Sequence, residues 1–115
     1  MRNLPAKKGY AKHVKALGDE LYAVEHFKSS VGNVAVVVLS DGRYFIGTAK
    51  LNPKDNYSRK LGHEIALGRA LARAVNYPLN GHGFLWPEGG KALTGRELGK
   101  VCRDLVLTRL KMKIN

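Results

Sequence analysis

Lys54, Arg59 and Lys60 gather where an extended pattern gives way to a long helical one. The first turn of a helix carries free N–H groups and a partial positive charge. Three cations beside it would add to a site for phosphate. A solvated helix start is the competing reading, because Lys and Arg are common on surfaces. The other chemistry-bearing residues are less directive. His63 and Glu64 are neighbours, and neighbours on a helix point about 100° apart, so they do not face each other as an acid–base pair. His13, His26 and His82 have no ligand-like spacing. Asp41 suits a turn, Asp55 a helix cap and Glu97 a capping box, which leaves no carboxylates spaced to converge on a metal. The residues therefore point to no catalytic group, no metal site and no cofactor. A small nuclease is the enzyme reading that stays in view.

Cys102 falls on an apolar helical stripe and reads as a small buried hydrophobe. With one cysteine, the chain has no internal disulfide and no multi-cysteine zinc site. The segment Asn80 to Lys91 holds Gly81-His82-Gly83, Phe84, Trp86 and Gly89-Gly90. Its glycines match no phosphate-loop spacing. Phe84 and Trp86 either stack on a base or pin a long loop to the core.

Charge narrows the partners. Twenty Lys and Arg oppose nine Asp and Glu, for a net charge of +11. Such a balance favours polyanions: nucleic acid first, an acidic protein surface second, solubility alone third. The charge is concentrated at the ends. Arg2, Lys7, Lys8, Lys12 and Lys15 precede the first acid, Asp19, and Arg109, Lys111 and Lys113 follow the last, Asp104. Both ends read as basic arms or basic helix faces. No apolar run approaches the roughly 18 residues of a membrane span. Met1 to Leu17 lacks the apolar core of a secretory signal, so an intracellular location is expected.

The elements that must position these residues follow from periodicity. Apolar content of 44% in 115 residues suits one globular domain over 1–115. Tyr10, Val14, Leu17 and Leu21 form a helical stripe, predicting a helix from Pro5 to Leu17 that stops at Gly18. Lys8 and Lys12 lie off that stripe and are candidate phosphate contacts. Leu21 to Phe27 alternates like a strand. Val34 to Leu39 is wholly apolar, as expected of a central strand or one covered on both faces. Asp41-Gly42 predicts a hairpin with both residues at positive φ, returning through Arg43 to Leu51. Along that strand Tyr44, Ile46 and Thr48 should face one way, and Phe45, Gly47 and Ala49 the other. In the long helix, Tyr57, Leu61, Ile65, Gly68, Ala72 and Val75 are expected to rest on the sheet, with Gly68 permitting close approach. Arg59, Ala66, Ala70 and Arg73 would then face away, which makes Arg73 a further candidate contact. Asn80 to Lys91 is expected to be a loop. Thr94 to Glu97 caps a last helix whose inner stripe is Leu98, Val101, Cys102, Leu105 and Met112, widened by Val106, Leu107 and Leu110.

The order helix, strand, strand, strand, helix over Pro5 to Val75 resembles the double-stranded-RNA-binding domain. Gly42-Arg43-Tyr44-Phe45-Ile46-Gly47-Thr48-Ala49 is similar to its second hairpin. Ser58-Arg59-Lys60 and Ala66 to Ala74 are similar to the start and body of its last helix. The resemblance implies phosphate contacts by Lys54, Arg59 and Lys60. The chain departs from that family in the loop Lys28 to Asn33, in the added residues Asn52 to Asn56, at Leu61-Gly62, and in its extra helix. A more local pattern, Pro53-x-Asp55-x-Tyr57, Gly62 and Ile65-Ala66-x-x-Arg69-Ala70, resembles small uncharacterised phage and prophage proteins. It implies a virus-encoded accessory protein in a bacterial host.

The expected fold is α+β: a three-stranded antiparallel sheet packed with helices in the order α-β-β-β-α-α. The expected function is non-enzymatic nucleic-acid binding through Lys54, Arg59, Lys60, Arg73, Lys8 and Lys12. A phage-type inhibitor or adaptor on an acidic host-protein surface is the alternative.

Overall fold

The computed structural model describes residues 11–29, 32–50, 59–79 and 81–109. Helix α1 spans Ala11–Leu17 and passes through a 3-10 turn, Gly18–Glu20, into strand β1, Leu21–Lys28. Strands β2 (Gly32–Leu39) and β3 (Arg43–Lys50) follow. Then come helix α2 (Arg59–Asn76), strand β4 (Gly83–Phe84) and helix α3 (Gly95–Arg109). The strands form one antiparallel sheet in the order β1-β2-β3-β4. The α+β class holds, but the sheet has a fourth strand, within a segment whose sequence reads only as a loop. β4 is two residues long, pairing Phe84 with Arg43 and Gly83 with Tyr44. So short an element has no period of its own and exists through its partner strand.

β2 is the centre of the molecule, and all eight of its residues are buried. Its side chains alternate between two cores. Ala35, Val37 and Leu39 meet Phe45, Leu67, Leu71 and the α1 residue Leu17 on one face. Val34, Val36 and Val38 meet Tyr44, Ile46, Trp86, Leu98, Cys102 and Val106 on the other. The sheet is therefore covered by α1 and α2 on one side and by α3 with the Trp86 segment on the other. The continuous valine run is the sequence mark of that double burial. Gly18, with φ of 52°, ends α1 in the left-handed conformation that glycine tolerates best.

Three local expectations need correction. The β2–β3 connection uses Ser40, Asp41 and Gly42, not two residues. The Gly42 N–H donates to the Leu39 carbonyl at 2.9 Å, and Gly42 takes a φ of 97°. Three-residue hairpin loops of this kind place their glycine last, where positive φ is needed. The Asp41 carboxylate accepts from the Arg43 N–H at 3.1 Å, which fixes the corner. In β1 the alternation slips, because the pairing shifts between Leu21 and Ala23. Leu21 belongs to the α2-side core, while Tyr22 and Ala23 both join the α3-side core. A bulge has this effect: one extra residue resets which side chains share a face.

The third correction is the rotation of α2. Ala66, Leu67, Ala70, Leu71 and Ala74 form its buried face, whereas Gly68 and Ala72 are only half-buried. The close approach comes from the strand instead. A side chain on Gly47 of β3 would press into the Ala66 carbonyl oxygen and stand 2.5 Å from the Ala70 nitrogen. Gly47 thus lets the alanine face of α2 lie directly on the sheet. Tyr57 lies outside the described residues, as does the Asp55 cap.

α3 matches its expected stripe through Leu98 and Cys102, and Val106 proves to be core. The residues after Arg109 lie outside the described region. Three contacts seat α3 and its approach. The Tyr22 hydroxyl donates to the Leu93 carbonyl at 2.8 Å. The Arg103 guanidinium lies 5.8 Å from the centre of the Phe27 ring. Gly99 leaves room for the Glu25 carboxylate. Burial, reinforced by that carboxylate, pushes the Cys102 thiol up to about 12. It is protonated at neutral pH and packs as a hydrophobe.

Candidate nucleic-acid interface

The described cations are not spread evenly. Guanidinium groups from three elements gather around the outer edge of β3 where β4 joins it. Arg43 opens β3. Its Nε donates to Asp41 at 2.7 Å and its Nη1 to the Pro78 carbonyl at 2.6 Å. Arg73 stands exposed on the last turn of α2. Arg109, at the end of α3, donates to the Tyr44 hydroxyl at 3.0 Å from the opposite side of the sheet. Among the described residues neither Arg73 nor Arg109 forms an ion pair. A fourth guanidinium, Arg69, lies one helical turn before Arg73 and donates to the Thr48 carbonyl at 2.6 Å.

His82 sits between these groups. Its backbone N–H donates to the Tyr44 carbonyl at 2.9 Å, and its Nδ1 accepts from the Ile46 N–H at 3.3 Å. Its ring stacks on Tyr44 at 6.0 Å. An accepting Nδ1 places the imidazole proton on Nε2. Burial, and then the Arg73 and Arg109 charges, hold His82 below the usual histidine range, against a smaller opposing backbone hydrogen bond at Tyr44. Its half-buried place in a cationic field favours the neutral imidazole. Together, His82 and Arg69 occupy polar positions along the outer edge of β3 that a further strand would otherwise seek.

The sequence-predicted contacts distribute as follows. Arg73 lies in this cluster. Lys12 is exposed on α1, and among the described residues no hydrogen bond or ion pair ties it to the cluster. Arg59 and Lys60 open α2, but their side chains lie outside what the structure describes, as do Lys8 and Lys54. Arg43, Arg69, Arg109 and His82 are not among the contacts expected from the sequence. The spacing of Arg69 and Arg73 is a usable signal, since residues four apart share a helix face. Arg109 gives none, because it reaches the edge only through the packing of α3.

The aromatic residues of the 80–91 segment divide. Trp86 is 7% exposed and pins the segment down. Its ring meets Tyr22 edge-on at 5.4 Å and covers Gly42. Phe84 is 60% exposed and pins nothing.

His63 does not pair with Glu64 as an acid–base couple. Its ring stacks on His26 of β1, with centres 5.0 Å apart and planes 7° from parallel. Among the described residues no three His, Cys, Asp or Glu side chains converge on a point. His26 is exposed as a residue, but the stack withdraws one face of its ring from water. That burial, followed by the nearby His63, lowers the His26 pKa. A histidine depressed in the fold stabilises it above the unfolded value of about 6.5 and loses that contribution as pH falls through the folded value. His82 acts in the same direction. Glu25, raised by burial against the pull of Arg103, acts in the opposite one. The urea midpoint should therefore fall less between pH 7 and pH 5 in His26→Gln than in the wild type. Equal losses in both proteins would mean that the stack carries no pH dependence.

Comparison of the chain with protein-family models, with curated proteins and with solved structures gives no match.

Proposed function

We propose that this protein is a non-enzymatic nucleic-acid-binding protein that holds the phosphate backbone through its arginines. The observation that carries the reading is the convergence of Arg73 and Arg109 on the β3–β4 edge without ion-pair partners among the described residues. Guanidinium groups free of carboxylates, on a chain of net charge +11, suit phosphate in charge and in hydrogen-bond geometry. Arg69 and Arg43 add to the field, although Asp41 offsets the latter. Lys12 on α1, and Lys8, Lys54, Arg59 and Lys60, are further contacts in this reading. An acidic protein surface would meet the same cations, so the test must be made with nucleic acid itself.

Binding to DNA and RNA, followed by electrophoretic shift, should weaken steeply as salt rises. Each phosphate neutralised contributes about 0.9 to the log–log slope on duplex DNA and about 0.7 on single strands. Replacing both Arg73 and Arg109 by Ala should lower affinity and flatten the slope by roughly two contacts. Lys111→Ala with Lys113→Ala removes the same formal charge at the end of the chain and should matter less. Arg59→Ala with Lys60→Ala measures the helix entrance on the same scale. Absence of any shift at low salt defeats the proposal. Equal losses in all three double variants would reduce it to an effect of net charge.

A further inference from the structure

We infer that the ligand of this edge is a single-stranded nucleic acid, its bases stacked on Phe84 and Tyr77 and its phosphates held by Arg73 on the same side of the sheet, with Arg109 reaching the edge from the other side. This rests on the nucleic-acid reading above and names the form of the polymer. Phe84 and Tyr77 are each 60% exposed, and Leu79, two residues after Tyr77, is 92% exposed. A single open apolar side chain is ordinary, but grouped ones mark interaction sites, and here three occur within one short stretch of chain. Their placement is coherent. Phe84 lies directly opposite Arg43 in the β3–β4 pair, so the two side chains share one face of the sheet. Tyr44, next in β3, points into the α3-side core; Arg43 and Phe84 therefore emerge on the α2 side. There Arg43 reaches the Pro78 carbonyl, immediately beyond Tyr77, whose N–H donates to the Arg73 carbonyl at 2.8 Å. Phe84 and the Tyr77–Pro78 stretch thus both lie next to Arg43 at the end of α2, and Arg73 stands one turn before Tyr77.

The chemistry of the patch selects the occupant. A lipid or an apolar peptide would fit the rings but not the surrounding guanidiniums. An acidic peptide would fit the guanidiniums but leave the rings without flat partners. A duplex offers phosphates, but its bases are stacked on one another and closed to side-chain rings. Only unstacked bases joined by phosphates match both, since aromatic platforms beside cations are the means by which single strands are held without sequence preference.

The test is fluorescence anisotropy with single-stranded DNA, single-stranded RNA, the matching duplexes, and an abasic single strand carrying the same number of phosphates. Wild-type protein should prefer a base-bearing single strand to its duplex and to the abasic strand, and the two single strands show whether the sugar matters. Phe84→Ala should weaken single-strand binding by roughly 5- to 100-fold. Its salt slope should stay unchanged, because no phosphate contact is removed. Tyr77→Ala should act in the same way, and Phe84→Trp should retain affinity. Both rings are exposed, so thermal melting should report intact folds. Salt-dependent wild-type binding that prefers duplex, or that is insensitive to the abasic strand and to both alanine variants, overturns this inference while leaving the backbone-binding reading intact. No binding to any of these polymers overturns both.

Discussion

Gly47→Ala is expected to cost about 3 kcal/mol or more, at the upper end of overpacking effects. The added methyl group would meet the backbone of α2 at Ala66 and Ala70. A side chain can turn aside, but a helix backbone must move as a body. The shift would open the contact of Ala66, Ala70 and Ala74 with Phe45 and Ala49. Since small domains have only about 5–15 kcal/mol of stability in all, the melting temperature should fall by roughly 10 °C or more. Gly68→Ala is the informative comparison. Gly68 is half-buried within α2, so exchanging it for the best helix former should be neutral or gain up to about 1 kcal/mol. Calorimetry on the two variants decides the rotation of the helix. A larger loss at Gly68 than at Gly47 would mean that α2 packs on the face its own periodicity suggests.

Trp86→Ala should be nearly as damaging, by about 3–5 kcal/mol. The ring fills the α3-side core between Tyr22 and the hairpin corner at Gly42. Its loss leaves a cavity between β1 and that corner. β4 lies just before it and is held to β3 by only two residue pairs, so the 81–85 segment should loosen first. Trp86→Phe should recover most of the stability. Urea unfolding followed by far-ultraviolet circular dichroism measures both. An alanine variant within 1 kcal/mol of wild type would show that the indole covers the core without supporting it.

Elements with strong internal patterns are legible in the amino-acid sequence. The run Val34 to Leu39 marks a strand covered on both faces, and β3 alternates as its sequence says, with Tyr44 and Ile46 opposite Phe45 and Ala49. Leu98 and Cys102 mark the inner face of α3. The rotation of α2 is misleading in sequence because apolar residues lie on more than one arc: Leu61, Ile65 and Val75 suggest one inner face, while Leu67 and Leu71 share the buried face with Ala66, Ala70 and Ala74. Leu61 and Ile65 are the natural guide to its inner face, but a strand glycine reserves the close contact for Ala66 and Ala70. That preference belongs to the partner surface and cannot be seen in the helix alone. β4 and the β1 bulge are hidden for a related reason: both are defined by pairing with distant residues. The candidate cluster is legible in sequence only along one face of α2, at Arg73 and through the four-residue spacing of Arg69. Arg43, His82 and Arg109 are far apart in sequence, and the path of the chain through both layers brings them to one edge.

Because β2 supplies a wall to both cores, the two helical layers are not independent folding units. If α2 lifts away, Ala35, Val37 and Leu39 are exposed; if α3 lifts away, Val34, Val36 and Val38 are. Either loss removes support from the strand on which the other layer rests. Among the described strands, local opening is expected first at the short β4, which has only two pairs to its neighbour. The centre of the sheet opens only in the global transition, so its amide protons exchange with solvent at the rate set by complete unfolding. If a ligand binds at the β4 edge, it meets the described strand with the fewest pairs, and its binding energy would go to ordering that margin rather than to rearranging the centre.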